Sequence, residues 1–279
     1  MSFEKEARQL YNIAHSVASK EQRKINKKNE NGHPIALSTI LDNEKISEVV
    51  NVGIMDIPTD KIVGVVSSDG TEDIYTPDFL PLLAANTEYA EKWRRLYLDY
   101  LTDEGIRDPI GCYEYLGNFY VTDGMKRVSV LKSYGAATIS AQVFRVMPVE
   151  SNTPKIKCYK EFLKHFRLTG LYQVSFNQPE NFKKLQVALG YDPNHAWTDM
   201  DRYSFMFNWY GFDRAYKKVF GEDKNLTAAD MLVKVLEDYS YNEVRRMDPW
   251  DREKVLLDYR NKFYGAGELS TEVEFFKVS

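Results

Sequence analysis

Asn118-Phe-Tyr-Val-Thr-Asp-Gly-Met-Lys-Arg-Val-Ser-Val130 decides how the rest of the chain is read. Phe119 to Val121 is a short apolar run of strand type, and Asp123-Gly124 breaks it. From Met125 the apolar positions Val128 and Leu131 lie three apart, as on a helix continuing to Gly135. A strand that turns into a helix through a glycine leaves free backbone N–H groups at the helix start, where the dipole also favours an anion. Lys126 and Arg127 add two cations to that turn. An ordinary strand–turn–helix with two solvated basic residues has the same pattern, so these residues alone leave a phosphate seat and a plain turn both open.

Working outward, Asp108 to Tyr115 reads as a strand and Leu116-Gly-Asn118 as a tight turn, so Phe119–Val121 closes a hairpin. Thr138 to Val146 alternates as a further strand. Upstream, Val49 to Ile57 is rich in β-branched residues and stopped by Pro58, Lys61 to Val66 is a second extended piece, and Ser67 to Thr71 is a loop. Gly64 and Gly70 do not make a Walker loop, because no Lys-Ser/Thr follows. Thr76 to Pro81 is a compact loop, and Thr87 to Thr102 reads as a helix on Tyr89, Trp93, Leu96, Tyr97 and Tyr100, stopped by Gly105. The order strand, strand, helix, hairpin, helix, strand predicts a small α+β unit over 49–148.

On either side the pattern is helical. Residues 2 to about 28 put Phe3, Ala7, Leu10, Tyr11, Ala14 and Val17 on one face. The same helix ends in Lys20, Arg23, Lys24, Lys27 and Lys28, either an arm for an acidic partner or a solvated helix end. Residues 1–48 therefore form an N-terminal helix and linker. Pro148 to Pro154 reads as a second linker, and 149–279 as a mostly helical, aromatic-rich region. Its helical segments lie around Tyr159–Phe166, Asn181–Leu189, Arg202–Phe220, from Thr227 with Asp230 in a capping-box position, and Asp248–Phe263. The tail Glu272 to Val278 reads as extended. Trp250, amid Arg245, Arg246, Asp248 and Asp251, reads as a buried ring in a surface charge mix. The run Tyr203 to Tyr210 reads as core rather than as a base-stacking surface.

The 279 residues carry a formal net charge of −4, which argues against broad binding to nucleic acid. Cys112 and Cys158 are the only cysteines and make no disulfide framework, so reduced thiols in the cytoplasm are expected. No apolar run approaches membrane-spanning length, so no membrane partner is expected. His15, His33, His165 and His195 are too scattered to predict a metal site. The loop Asp192 to Asp201 reads as a helix start capped by Thr198 or Asp199, with a binding loop as the other reading.

Four stretches carry a resemblance: Ile57-Pro-Thr-Asp-Lys-Ile-Val-Gly64, Asp108-Pro-Ile110, Tyr120-Val-Thr-Asp-Gly-Met-Lys-Arg127 and Gly135-Ala-Ala-Thr-Ile-Ser-Ala-Gln-Val143. Their order and spacing resemble the ParB/sulfiredoxin fold, over roughly a third of the chain. The resemblance implies nucleotide handling: ParB proteins hydrolyse CTP, sulfiredoxin uses ATP, and a free-serine kinase on this fold uses ADP. Carried over, Gly124 lets backbone approach a phosphate, the amides of Met125, Lys126 and Arg127 face it, and Arg127 gives a charge-assisted contact. Asp123 caps the helix or meets magnesium, and Ser67 and Ser68 donate from the preceding loop.

Three departures matter. Met125 stands where sulfiredoxin has its reactive cysteine, which excludes that chemistry. Lys126 keeps a charge but loses planar bidentate geometry. The loop after Gly64 lacks an expected arginine. The expected activity is thus nucleotide or phosphate binding (ATP, ADP or CTP with Mg) by a ParB-like protein, with homo-oligomers open. The alternatives are a DNA-associated partition or regulatory protein, and a phosphotransferase using Asp69, Glu72 or Asp73. No catalytic residue is assigned.

Overall fold

The computed structural model describes residues 3–28, 30–41, 46–102, 105–106, 108–221 and 226–265. The expected extended tail at Glu272–Val278 lies outside them. The chain divides into two compact units, Met1–Asn152 and Thr153–Ser279. The fold is α+β, with one mixed sheet and a helical C-terminal part.

The first unit runs α1 (Phe3–Lys28), β1 (Ile35–Ala36), α2 (Leu37–Leu41), β2 (Ile46–Pro58), β3 (Ile62–Val65), α3 (Glu88–Tyr100), β4 (Ile110–Tyr115), β5 (Asn118–Asp123), α4 (Met125–Tyr134) and β6 (Thr138–Pro148). The six strands lie in the order β1-β3-β5-β4-β6-β2. β1 and β3 run parallel to their neighbours toward β5, whereas β4 is antiparallel to β5. The β4–β5 hairpin is set by Leu116 (φ 51°) and Gly117 (φ 84°), a pair of left-handed residues that matches strand twist. The parallel register Val65↔Val121 then brings the loop after β3 and the turn after β5 to the same end of the strands.

Helix α1 is part of this unit rather than a separate linker segment, because it packs on α3 and α4. Its buried stripe is Ala7, Tyr11, Ala14 and Ala18, while Phe3 and Val17, expected on that face, are exposed. The small alanines let Tyr11 reach Trp93, ring edge to ring face at 5.2 Å, and donate to the Leu83 carbonyl. Trp93 in turn donates to Ser129 Oγ of α4 at 3.0 Å, so α4 is held from behind by a fully buried side chain. β1, too short to show any period, adds a strand beyond β3.

The second unit contains α5 (Pro154–Thr169), α6 (Asn181–Ala188), α7 (Asp199–Phe220), α8 (Ala228–Asp238), α9 (Tyr241–Arg246) and α10 (Pro249–Tyr264). Thr198, Thr227 and Ser240 each begin a helix with a complete capping box, and Asp248 caps α10. The aromatic run splits: Phe205 and Trp209 are core, while Tyr203, Phe207 and Tyr210 face outward. Trp250 is not buried; it is 75% exposed, because α10 packs through Leu256 and Tyr259 instead.

Candidate functional site

Strand β5 ends at Asp123, Gly124 takes φ 95°, and α4 begins at Met125. Only glycine enters this backbone conformation without strain. A Cβ at 124 would also stand 2.7 Å from Ile110 Cγ2 and 2.9 Å from Arg127 Nε, so the corner is tight as well as left-handed. Unlike α3, which Thr87 caps, α4 has no side-chain cap. The first helical bond here is from Val128 to the Gly124 carbonyl, and the amides of Met125, Lys126 and Arg127 have no acceptor among the described residues.

Asp123 does not cap the helix, contrary to one of its two expected roles. Its carboxylate accepts from Arg127 Nη2 at 2.6 Å. Arg127 Nη1 donates to the carbonyls of Asp108 at 2.7 Å and Pro109 at 2.9 Å, which explains what the Asp108-Pro-Ile110 stretch contributes here. The guanidinium is thereby fixed against Gly124, with Nε–H and one Nη2–H unpaired among the described residues. The pair is unequal: the arginine side chain is 15% exposed and the aspartate 78%. Lys126 lies over the Tyr89 ring at 5.1 Å. Burial, and then the nearby Lys92, push its ammonium below the usual lysine range, against the pull of Glu88.

The loop that follows β3 is filled from within. Glu72, buried, accepts from Ser68 Oγ, from the Gly70 amide at 3.0 Å and from the Asp69 amide at 3.3 Å. Burial alone would raise its carboxyl, but the bonds from Ser68 and the Glu72, Asp69 and Gly70 amides outweigh it and leave the group below its ordinary range. Ser68 is thus committed to Glu72, which corrects its expected place as a phosphate donor, while Ser67 remains exposed. Asp69 is held by the Thr71 hydroxyl at 2.6 Å and the Thr71 amide at 3.0 Å, so of the candidate acid–base groups only Asp73 has an exposed carboxylate free of a bond in this loop.

Sequence reasoning missed Lys132. Half-buried on α4, it donates to the Ile62 carbonyl at 2.8 Å and lies over Phe79, and the loss of solvent lowers its pKa despite Asp78 and Asp60. Nothing in its spacing distinguishes it from a solvated helix lysine. His15 and His33 contact the carbonyls of Pro81 and Tyr75. His195 stacks on Tyr191 and meets Asp201 at 3.3 Å. Cys112 and Cys158 are both buried and free, and burial pushes their thiols up to about 12 and about 11. Lys20, Arg23, Lys24, Lys27 and Lys28 at the basic end of α1 are exposed. Among the described residues no group of three or more His, Cys, Asp or Glu converges as metal ligands, and no helix is long and apolar enough to cross a membrane.

No protein-family model matches the chain, and no curated protein matches it.

Proposed function

We propose that the first unit is a ParB/sulfiredoxin-like domain that binds a nucleotide or other phosphate at the start of α4, in the cytoplasm. The observation that carries this is the open helix start: the amides of Met125 to Arg127 lack acceptors beside a guanidinium already oriented by two carbonyls. Helix N-termini of this kind favour phosphate through both the amides and the dipole. A phosphate arriving there replaces Asp123 on Arg127. That exchange costs little, since a pair with one partner well exposed contributes little stability. Among the described residues Asp123 is the only carboxylate bonded at the turn, so magnesium arrives on the nucleotide, as is usual for an ion that keeps its waters and phosphate ligands. The two free, buried thiols suit a reducing compartment.

The test is thermal melting of the full chain with ATP, ADP, CTP and GTP, each with magnesium. A ligand that binds only the folded state raises the melting point, by the equivalent of about 2.7 kcal/mol at a hundredfold excess over its dissociation constant. At least one nucleotide should do so, Arg127→Ala should abolish the response, and Lys126→Gln, a milder change, should weaken it. If none of the four nucleotides moves the melt of the wild-type chain, the proposal fails.

A further inference from the structure

Helix α7 is apolar on two sides. One side buries Phe205, Trp209, Phe212 and Tyr216 in the second unit. On the opposite side Met200, Tyr203 and Phe207 are each more than 70% exposed, and Tyr210 is 51% exposed. These four recur at i, i+3, i+7 and i+10, the spacing of a coiled-coil seam. A surface helix normally turns polar residues outward, and one that is apolar all round is normally buried. Aromatic side chains carry about 150–250 Å² each, so at these exposures the stripe presents on the order of 500 Å². That lies at the upper end of the patches found on monomers, about 300–600 Å².

The charges along this face have a direction. Asp199 stands before the stripe, and Arg214, Lys217 and Lys218 follow it, all exposed. Lys217 pairs with Asp213 and Lys218 with Glu253, whereas Arg214 makes no ion pair among the described residues. Asp199 accepts from Arg202 and is almost wholly exposed, which leaves its second oxygen open to another cation. A membrane surface or a nucleic-acid backbone calls for cations along the whole face. Here one end is acidic, so the face matches an apolar helix that runs the other way with the same polarity.

A second copy of α7 is such a helix. With a two-fold axis level with position 205, Met200 meets Tyr210 of the second copy and Tyr203 meets its Phe207, each contact occurring twice. Ser204 and Gly211, small and on the same side, let the two backbones come close. In this register Arg214 stands three residues along the helix from Asp199 of the second copy, about 4.5 Å at 1.5 Å per residue and within reach of a long side chain. Two stripes together bury about 1,000 Å², the floor for a specific interface, and the charged ends raise this toward the usual range of about 1,200–2,000 Å². Aromatic residues, Met and Arg are also the types that interfaces favour.

We propose that the chain forms a two-fold dimer through the outward face of α7, with the two helices antiparallel and seamed by Met200, Tyr203, Phe207 and Tyr210. This association is independent of the phosphate site in the first unit.

Sedimentation equilibrium of the full chain tests it. The wild type should approach twice the chain mass as its concentration rises from about 1 to about 100 µM. Phe207→Glu should keep the circular dichroism of the folded chain and weaken association about a hundredfold, the worth of a central aromatic anchor. Val187→Glu, at an exposed apolar position on α6, should leave association unchanged. Asp199→Lys and Arg214→Glu should each weaken it several-fold, and the two changes in one chain should restore it, because opposite charges again face each other across the axis. A wild-type chain that stays monomeric at about 100 µM overturns the proposal. So does a dimer that Phe207→Glu leaves intact, and a charge swap that fails to restore association overturns the antiparallel pairing. Should Phe207→Glu not fold, Tyr203→Ser, a milder change on the same seam, decides in its place.

Discussion

Helices α4 and α8 begin with opposite solutions to the same problem. α8 starts at Thr227 with its own carboxylate in place: Asp230 accepts from the Thr227 amide and hydroxyl, and also from the amides of Asn177 and Gln178 and the Asn181 side chain. It is 1% exposed, so the negative end that the dipole favours is built into the core. α4 starts at a left-handed glycine with no cap and three idle amides. The first arrangement ties a helix to its neighbours; the second leaves its leading amides without an acceptor among the described residues. Glu72 shows that the first unit, too, can fill amides internally, as it does one loop away. The uncapped start of α4 is therefore local rather than a property of the whole domain.

The largest effect expected from breaking this contrast is at Asp230. Replacing it with alanine orphans donors on two segments, the buried Asn181 side-chain amide among them, and losses from breaking a network of that kind are among the few that reach about 3–4 kcal/mol. Urea unfolding followed by tryptophan fluorescence, to which Trp197, Trp209 and Trp250 of the second unit contribute alongside Trp93 of the first, should show that loss with no change in nucleotide response. A loss under about 1 kcal/mol would mean the capping network is ornamental and the contrast with α4 carries no information.

A somewhat smaller effect comes from His165 of the same unit, whose buried Nε2 has no hydrogen-bond partner among the described residues. The His165 imidazole takes a proton near pH 6.5 when unfolded but only near 4 when folded. Between those values the unfolded chain holds more protons, so acidification favours unfolding. Stability is complete above about pH 6.5 and declines toward pH 4, by at most about 3.4 kcal/mol at 1.36 kcal/mol per pH unit. Carboxylates titrate in the same range, so the quantity to measure is the difference between wild type and His165→Phe. The variant should lack this leg of the profile. Parallel profiles would place the ring in a wetter setting than its burial implies.

The elements around Gly124 were legible because each announces itself locally. A short apolar run marks β5, alternation marks β6, the three-residue spacing of Val128 and Leu131 marks α4, and glycines stop and start the chain at 117, 124 and 135. The Thr227 and Asp230 capping box was legible for the same reason, and Ser240 with Glu243 carries that signature for α9, which was missed. What was not legible depends on contacts between distant residues. β1 is a strand only because β3 lies beside it, and Tyr11 turns α1 toward Ala7 and Ala14 rather than Phe3 and Val17. At the candidate site the sequence put Arg127 at the turn, but nothing in the spacing reveals that the Asp108 and Pro109 carbonyls orient it or that Glu72 occupies Ser68. His165 stood out least, since a scattered histidine has no pattern of its own. Only its neighbours Phe162 and Phe182, converging from two helices, make it unusual.

The smallest effect expected is the sharpest for α4. Asp123→Asn removes a mostly exposed carboxylate, so the folded state should lose less than about 1 kcal/mol. Nucleotide binding should nevertheless tighten a few-fold, because asparagine neither occupies Arg127 as an anion nor repels an incoming phosphate. The gain should fade as salt rises from about 0.01 M to 1 M, where the screening length falls from about 30 Å to about 3 Å. Weaker binding in the variant would reverse the assignment: Asp123 would then act on the ligand's side, through the magnesium ion, rather than as the group the phosphate displaces. An unchanged affinity at low salt would place the phosphate away from Arg127, leaving the idle amides of Met125 and Lys126 to hold it alone.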